Sequence, residues 1–566
     1  MSLYDQIKSL HTNGLHSNVI SLTNLVLSLS DHNPDILPLP QKLEMYIHYA
    51  DAHFNLGKYR RAESLYKKAL QFRKYLLKTK NGKAMENVTS DVEIKFMLHQ
   101  CLVKLEDNQE ALQVLQSIPG KQRTPKVNMA LAKMFQDQGS ERSAIAAYKE
   151  VLRECPLALD AAEGLLSLGV KGIEVSSIIV SCAASLGNLD WLNSWVRAHA
   201  LIHAREYMQA VSTLRSLETV GLLRDNHSLV TAMGECYYLA GDDENAQLCF
   251  RRARMIEPDI TKGVDAYAAV LYRLNDTKEL DRLIPTISNS NERSPEMYVA
   301  MAYNLCANRK FNRANVLAAQ ALALNPNDIE ATILRGNILL EQKKYQDALH
   351  YFRQAVHIKP YRYEPHKGFV DCLVGMHRLR EALNFASGSC KQLGHTARVL
   401  TLYASVLMKD PVSVGKAKNL LEKALNQDES YLPAVYLLAE IYEQEMNLEA
   451  AIELLERQLE AQSAWRVFHT LGDLWARLHN EEKALDRYTV ALNLEPNNRR
   501  TLDAMQRLAS TSGKLDSAYY MAVGEEQADT TYDVGDGLPD TDNEEPPDES
   551  ETEAVWSDMD LEANSQ

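Results

Sequence analysis

The chain has 566 residues, more than one hydrophobic core usually organises, and its 45% hydrophobic and 24% charged content with only 24 glycines and 18 prolines points to a repeat array or several domains rather than a β-rich or low-complexity chain. The net charge of −15 belongs to one end: from Glu525 onward stand sixteen acids and no Lys or Arg, which leaves a nearly neutral body without the basic excess that nucleic-acid binding needs. Eight scattered cysteines with no Cys-x-x-Cys pair, no leader segment and no bilayer-length apolar run together imply a soluble intracellular chain with reduced thiols and no membrane partner.

In chain order, residues 3–29 read as two helices broken at Asn13-Gly14, set to cap an open end, with 1–42 assigned to that cap. A fixed spacing then takes over. Gly234 is followed by Tyr237, Ala246, Phe250, Ala253 and Pro258; Gly336 by Leu339, Ala348, Phe352, Ala355 and Pro360; Gly472 by Trp475, Ala484, Tyr488, Ala491 and Pro496. The offsets are identical, and they resemble the tetratricopeptide repeat. Two antiparallel helices must cross closely, so a small residue sits at position 8 while an aromatic at 24 fills the space beside it. Proline then stops the second helix.

With that register, starts fall near 43, 92, 125, 158, 191, 227, 261, 295, 329, 363, 398, 432 and 465, predicting an all-α superhelical solenoid of about thirteen hairpins. The copies near 158 and 261 are degenerate. We divide the array into 43–260, with a basic insertion near 74–90 carrying Lys74, Lys78, Lys80 and Lys83, and 261–498. A helix over 499–512 closes the array, and 513–566 reads as a disordered acidic tail.

Catalytic motifs are absent: no G-x-x-x-x-G-K-[ST], G-x-G-x-x-G, H-E-x-x-H or G-x-S-x-G occurs, and the histidines share no metal-ligand spacing with cysteines. No enzyme activity, cofactor, metal or small-molecule substrate is expected. Cys101, Cys236 and Cys372 each occupy position 10 of a repeat and read as small core residues. Trp191, Trp465 and Trp475 read as packing residues in first helices.

Function then lies in surfaces. Positions 2, 5, 9 and 12 of the first helix face the groove in this repeat family, where chaperone-binding members carry Lys at 5 and Asn at 9. Asn337 stands at 9 with Ile333 at 5, and Lys367 at 5 with Asp371 at 9, so that clamp is missing. Asn337, Lys126 and Lys133 are the candidate groove contacts, with a solvated face as the alternative for the lysines. In the tail, Trp556 with Leu561 forms a candidate partner motif, and Ser550 and Ser557 each precede an acid by three residues, as acidophilic kinases favour. Thr124-Pro125 and Ser294-Pro295 fit proline-directed kinase sites and equally suit inter-repeat turns.

Several strings outside the repeat consensus carry a more specific resemblance. They are Gly14-Leu-His-Ser-Asn-Val19, Arg123-Thr-Pro-Lys126, Glu150-Val-Leu-Arg153, Cys155-Pro-Leu-Ala-Leu-Asp-Ala161, Asn188-Leu-Asp-Trp-Leu192, Leu222-Leu-Arg-Asp-Asn226 and Asp410-Pro411-Val412. From near residue 10 to about 510 the chain resembles the subunit-seven family of the anaphase-promoting complex (cyclosome). The resemblance implies a non-catalytic scaffold in a multisubunit ubiquitin ligase acting on mitotic regulators in nucleus and cytoplasm. It further implies a homodimer formed through the N-terminal half, roughly 1–160, and stacking on the ligase's other tetratricopeptide subunits. The alternative is a monomeric adaptor holding short peptides in its groove. An enzyme with an appended array would need a catalytic domain, and only about fifty tail residues stay unassigned.

Overall fold

The computed structural model describes residues 2–33, 37–78, 89–182, 190–219, 223–288, 294–461, 464–496 and 498–512. Among them there are twenty-nine α-helices and no strand. The cap is α1 (Leu3–Thr12) and α2 (His16–His32). Five hairpins follow: α3 (Leu39–Asn55) with α4 (Tyr59–Lys78), α5 (Asp91–Lys104) with α6 (Asn108–Gln116), α7 (Pro125–Asp137) with α8 (Glu141–Glu154), α9 (Leu159–Ser167) with α10 (Gly172–Cys182), and α11 (Asp190–His203) with α12 (Tyr207–Thr219). The next four are α13 (His227–Ala240) with α14 (Asp243–Ile256), α15 (Val264–Arg273) with α16 (Thr277–Ser288), α17 (Pro295–Ala307) with α18 (Phe311–Leu324), and α19 (Ile329–Glu341) with α20 (Tyr345–Ile358). The last four are α21 (Tyr363–Gly375) with α22 (Leu379–Leu393), α23 (Ala397–Leu407) with α24 (Val414–Gln427), α25 (Leu432–Gln444) with α26 (Leu448–Ala461), and α27 (Trp465–Arg477) with α28 (Glu481–Leu494). The closing helix is α29 (Arg499–Ser512). None of the helices is long and apolar enough to cross a membrane.

The repeat spacing is realised as contact between small and aromatic side chains. A Cβ on Gly234 would stand 2.9 Å from the Phe250 ring, on Gly336 2.7 Å from Phe352, and on Gly472 2.5 Å from Tyr488. Gly368, on the following first helix, meets the same Phe352 ring, so that aromatic is gripped from two repeats. Ala246, Ala348, Ala355, Ala484 and Ala491 are fully buried at the matching positions. Cys101, Cys236 and Cys372 lie fully buried, and burial pushes each thiol up to about 12.

The turn inside a hairpin is fixed by one left-handed residue. Twelve of the thirteen have one: Gly57, Glu106, Gly139, Gly169, Arg205, Gly241, Asn275, Arg309, Lys343, His377, Met446 and His479. Eight of these are not glycine, and each carries the Cβ strain that glycine would avoid. The exception, between α23 and α24, is bridged by a 3-10 turn at Pro411–Ser413, where Asp410 caps Val412 N–H and Val412 is 91% exposed.

The chain divides into two compact units, Met1–Cys372 and Leu373–Gln566. That cut lies inside α21. Where each hairpin packs chiefly on its neighbours, a division of the array leaves little mark in the local sequence. The basic insertion is described only to Lys78, which continues α4, and from 89; Lys80, Lys83 and the acidic tail with Ser550, Trp556 and Ser557 lie outside the described residues.

Candidate interaction surfaces

First helices present positions 2 and 12 inward, and in the first unit those positions meet across the solenoid. Tyr238, at position 12 on α13, donates its hydroxyl to Glu330 Oε2 on α19 at 2.8 Å, 92 residues further along. Arg362, just before α21, reaches Glu330 Oε1 at 2.7 Å and the Tyr238 oxygen at 3.1 Å, 124 residues back. Its Nε bonds Glu364 at 3.0 Å, and Arg273 at the end of α15 lies between Glu364 (3.5 Å) and Asp243 (2.6 Å) with its guanidinium 4.7 Å over the Tyr238 ring. The neighbouring Tyr361 is covered by Arg205, from the α11–α12 turn, 3.1 Å from the ring centroid. Residues of five hairpins are thus pinned together by one connector, 359–362.

Burial sets the electrostatics of this bridge. Tyr238, Glu330 and Arg362 are all buried. Burial and the Glu330 carboxylate push the Tyr238 phenol well above its ordinary value and keep it a neutral donor. Burial works against the Arg362 charge, but Glu330 and Glu364 outweigh it and hold the guanidinium well above its usual range. Around the bridge, burial and then Glu330 push Asp265 up to about 8, burial pushes Asp328 up to about 6, and burial holds His199 down at about 4. A buried ion pair of this kind is stable only while every partner is present.

The residues singled out from sequence occupy other places. Lys126 and Lys133 are exposed two turns apart on α7, with the Lys126 ammonium 4.4 Å from the Phe96 ring centroid. Asn337 is half-buried on α19, the helix that carries Glu330. Thr124 is an exposed N-cap, and Ser294 caps α17 by accepting the Met297 N–H at 3.3 Å. Sequence reasoning missed Tyr238, Arg273, Glu330 and Arg362. For Tyr238 and Glu330 the available signal was a large polar residue at groove positions 12 and 2; Arg273 and Arg362 stand at neither position.

Two outward faces are apolar. Second helices of hairpins four, five, six and eight expose Ile173 and Val180 on α10, Met208 on α12, Leu248 and Met255 on α14, and Val316 on α18. At the cap, Leu25 and Leu29, one turn apart on α2, are 63% and 52% exposed.

Residues 43–74, 299–363, 339–406 and 414–474 match models of the tetratricopeptide repeat. The crystal structure of the APC/C hetero-tetramer Cut9-Hcn1 shares the fold, with a TM-score of 0.53 over 90% of this chain and 96% of that one at 14% identity. By fold this is therefore a tetratricopeptide-repeat solenoid. Its sequence is 36% identical over 527 residues to the Homo sapiens anaphase-promoting complex subunit 7, spanning 91% of this chain and 93% of that protein. The Arabidopsis thaliana subunit 7 is 26% identical over 535 residues, spanning 90% and 95%. The chain belongs to the anaphase-promoting complex subunit 7 family.

Proposed function

We propose that the chain is a non-catalytic scaffold of the anaphase-promoting complex, supporting ubiquitination of cell-cycle substrates through protein contacts in nucleus and cytoplasm. The observation carrying this reading is the 36% identity sustained through nine-tenths of both chains. The other tetratricopeptide subunits of the complex are its docking partners, and the exposed apolar strip on α10, α12, α14 and α18 fits such contacts. Self-association runs through the N-terminal half, with Leu25 and Leu29 on α2 as its apolar contact.

The bridged groove supports this over the peptide-receptor alternative. Arg362, Glu330 and Tyr238 satisfy one another where a peptide's polar groups would have to bind. Affinity purification of the tagged chain from dividing cells tests the assignment: near-stoichiometric recovery of the complex's other subunits is expected, and their absence overturns it. Light scattering on the full chain tests the dimer. A mass of two chains that falls to one in Leu25→Asp/Leu29→Asp is expected, and a monomeric parent chain removes that part of the proposal.

A further inference from the structure

We propose that His11, His48 and Asp51 form a site for a divalent transition-metal ion of the zinc class, which fastens the N-terminal cap to the first hairpin. His11 stands in the last turn of α1, while His48 and Asp51 share one face of α3 at i, i+3. One ligand atom from each lies within 4.8 Å of the others. His11 Nε2 is already 3.4 Å from Asp51 Oδ2, about the separation of two ligands on a tetrahedral ion with metal–donor bonds of roughly 2 Å. The His11 and His48 rings are 4.5 Å apart at 32°, so His48 closes on the same point by turning its ring.

Two features distinguish this cluster from an ordinary packed histidine pair. Both ring nitrogens of His48 are buried without a hydrogen-bond partner, which a bound ion would relieve at one of them. Asp51 is oriented from behind: its Oδ1 accepts the Tyr66 hydroxyl, leaving Oδ2 for the site, the arrangement by which outer partners aim metal ligands. Two imidazoles and a carboxylate suit zinc and its neighbours and disfavour calcium or magnesium. His11 is 23% exposed, so an ion can enter and water can complete the fourth position. Two of the ligands sit on the array and one on the cap, so occupancy couples the two, independently of the scaffold reading above.

The test uses the full chain with Zn2+ in competition against a chromogenic chelator, and Co2+ as a spectroscopic probe. One retained equivalent is expected, lost in both His48→Leu and His11→Gln, with Co2+ bands of nitrogen and oxygen ligation and no thiolate charge transfer. His48→Leu removes no hydrogen bond of the fold, and His11→Gln keeps a donor toward Asp51, so both variants should retain the parent's circular dichroism. Metal should slow amide exchange in α1 of the parent and leave it unchanged in His48→Leu. Failure to retain Zn2+, equal retention by the variants, or a thiolate band from a cysteine such as the exposed Cys155 overturns the proposal.

Discussion

The two compact units use charge differently. In the first, Arg362 joins Glu330 and Tyr238 in a buried cluster whose members lie 92 and 124 residues apart. In the second, Lys418–Glu445 and Arg477–Glu443 join adjacent hairpins at the surface, with Arg477 57% exposed. Surface pairs trade hydration for modest attraction, whereas buried ones commit several desolvated groups to a single geometry. The lesson is that a repeat array need not be held by nearest neighbours alone. Here one connector and its partners tie residues of five hairpins into a block.

The largest effect should come from breaking that block. Glu330→Ala leaves the buried Arg362 with Glu364 as its one remaining carboxylate in the bridge and should cost about 3–5 kcal/mol in chemical denaturation, while Arg477→Ala in the second unit should cost less than ~1 kcal/mol. Equal losses would erase the contrast. The same block should respond to pH through Asp265. Its folded value is raised to about 8, so its contribution to stability is full below the unfolded carboxylate range and is lost as pH rises toward 8. Asp265→Asn should therefore raise the thermal midpoint relative to the parent most at pH 8 and above, with the difference vanishing near pH 4. A pH-independent difference would mean that Asp265 is not the titrating group.

Two smaller changes, both in the first unit, touch the repeat rather than the bridge. Gly234→Leu forces a side chain into the Phe250 ring and should lower stability by about 1–3 kcal/mol, read as a lowered melting midpoint. Lys343→Gly removes Cβ strain at a left-handed turn and should stabilise by about 1 kcal/mol, less the backbone entropy that glycine adds to the unfolded chain. A destabilised Lys343→Gly would show that this turn is not strained.

How much could be read from sequence followed the range of each interaction. Hairpin starts were legible because Gly336 and Phe352 meet within one repeat, and the cap and closing helices because Asn13-Gly14 and Pro496 punctuate them. The turns were only half legible: Arg309, Lys343 and His377 adopt the glycine conformation without its signature, so only the hairpin period locates them. The bridge was not legible, since nothing near Arg362 in the chain predicts that the superhelix returns Tyr238 to it. The cluster of His11, His48 and Asp51 escaped for the same reason, its members being divided between cap and array.

The left-handed turns and the connector at 359–362 also say how the molecule should behave under tension. Hairpins of the second unit, each packed on its neighbours through an apolar core such as Ile452 against Leu471, should peel away one after another when the chain is pulled from its ends. The stretch clasped between Arg205 and Tyr361 can lengthen only when its latch opens, and then all at once.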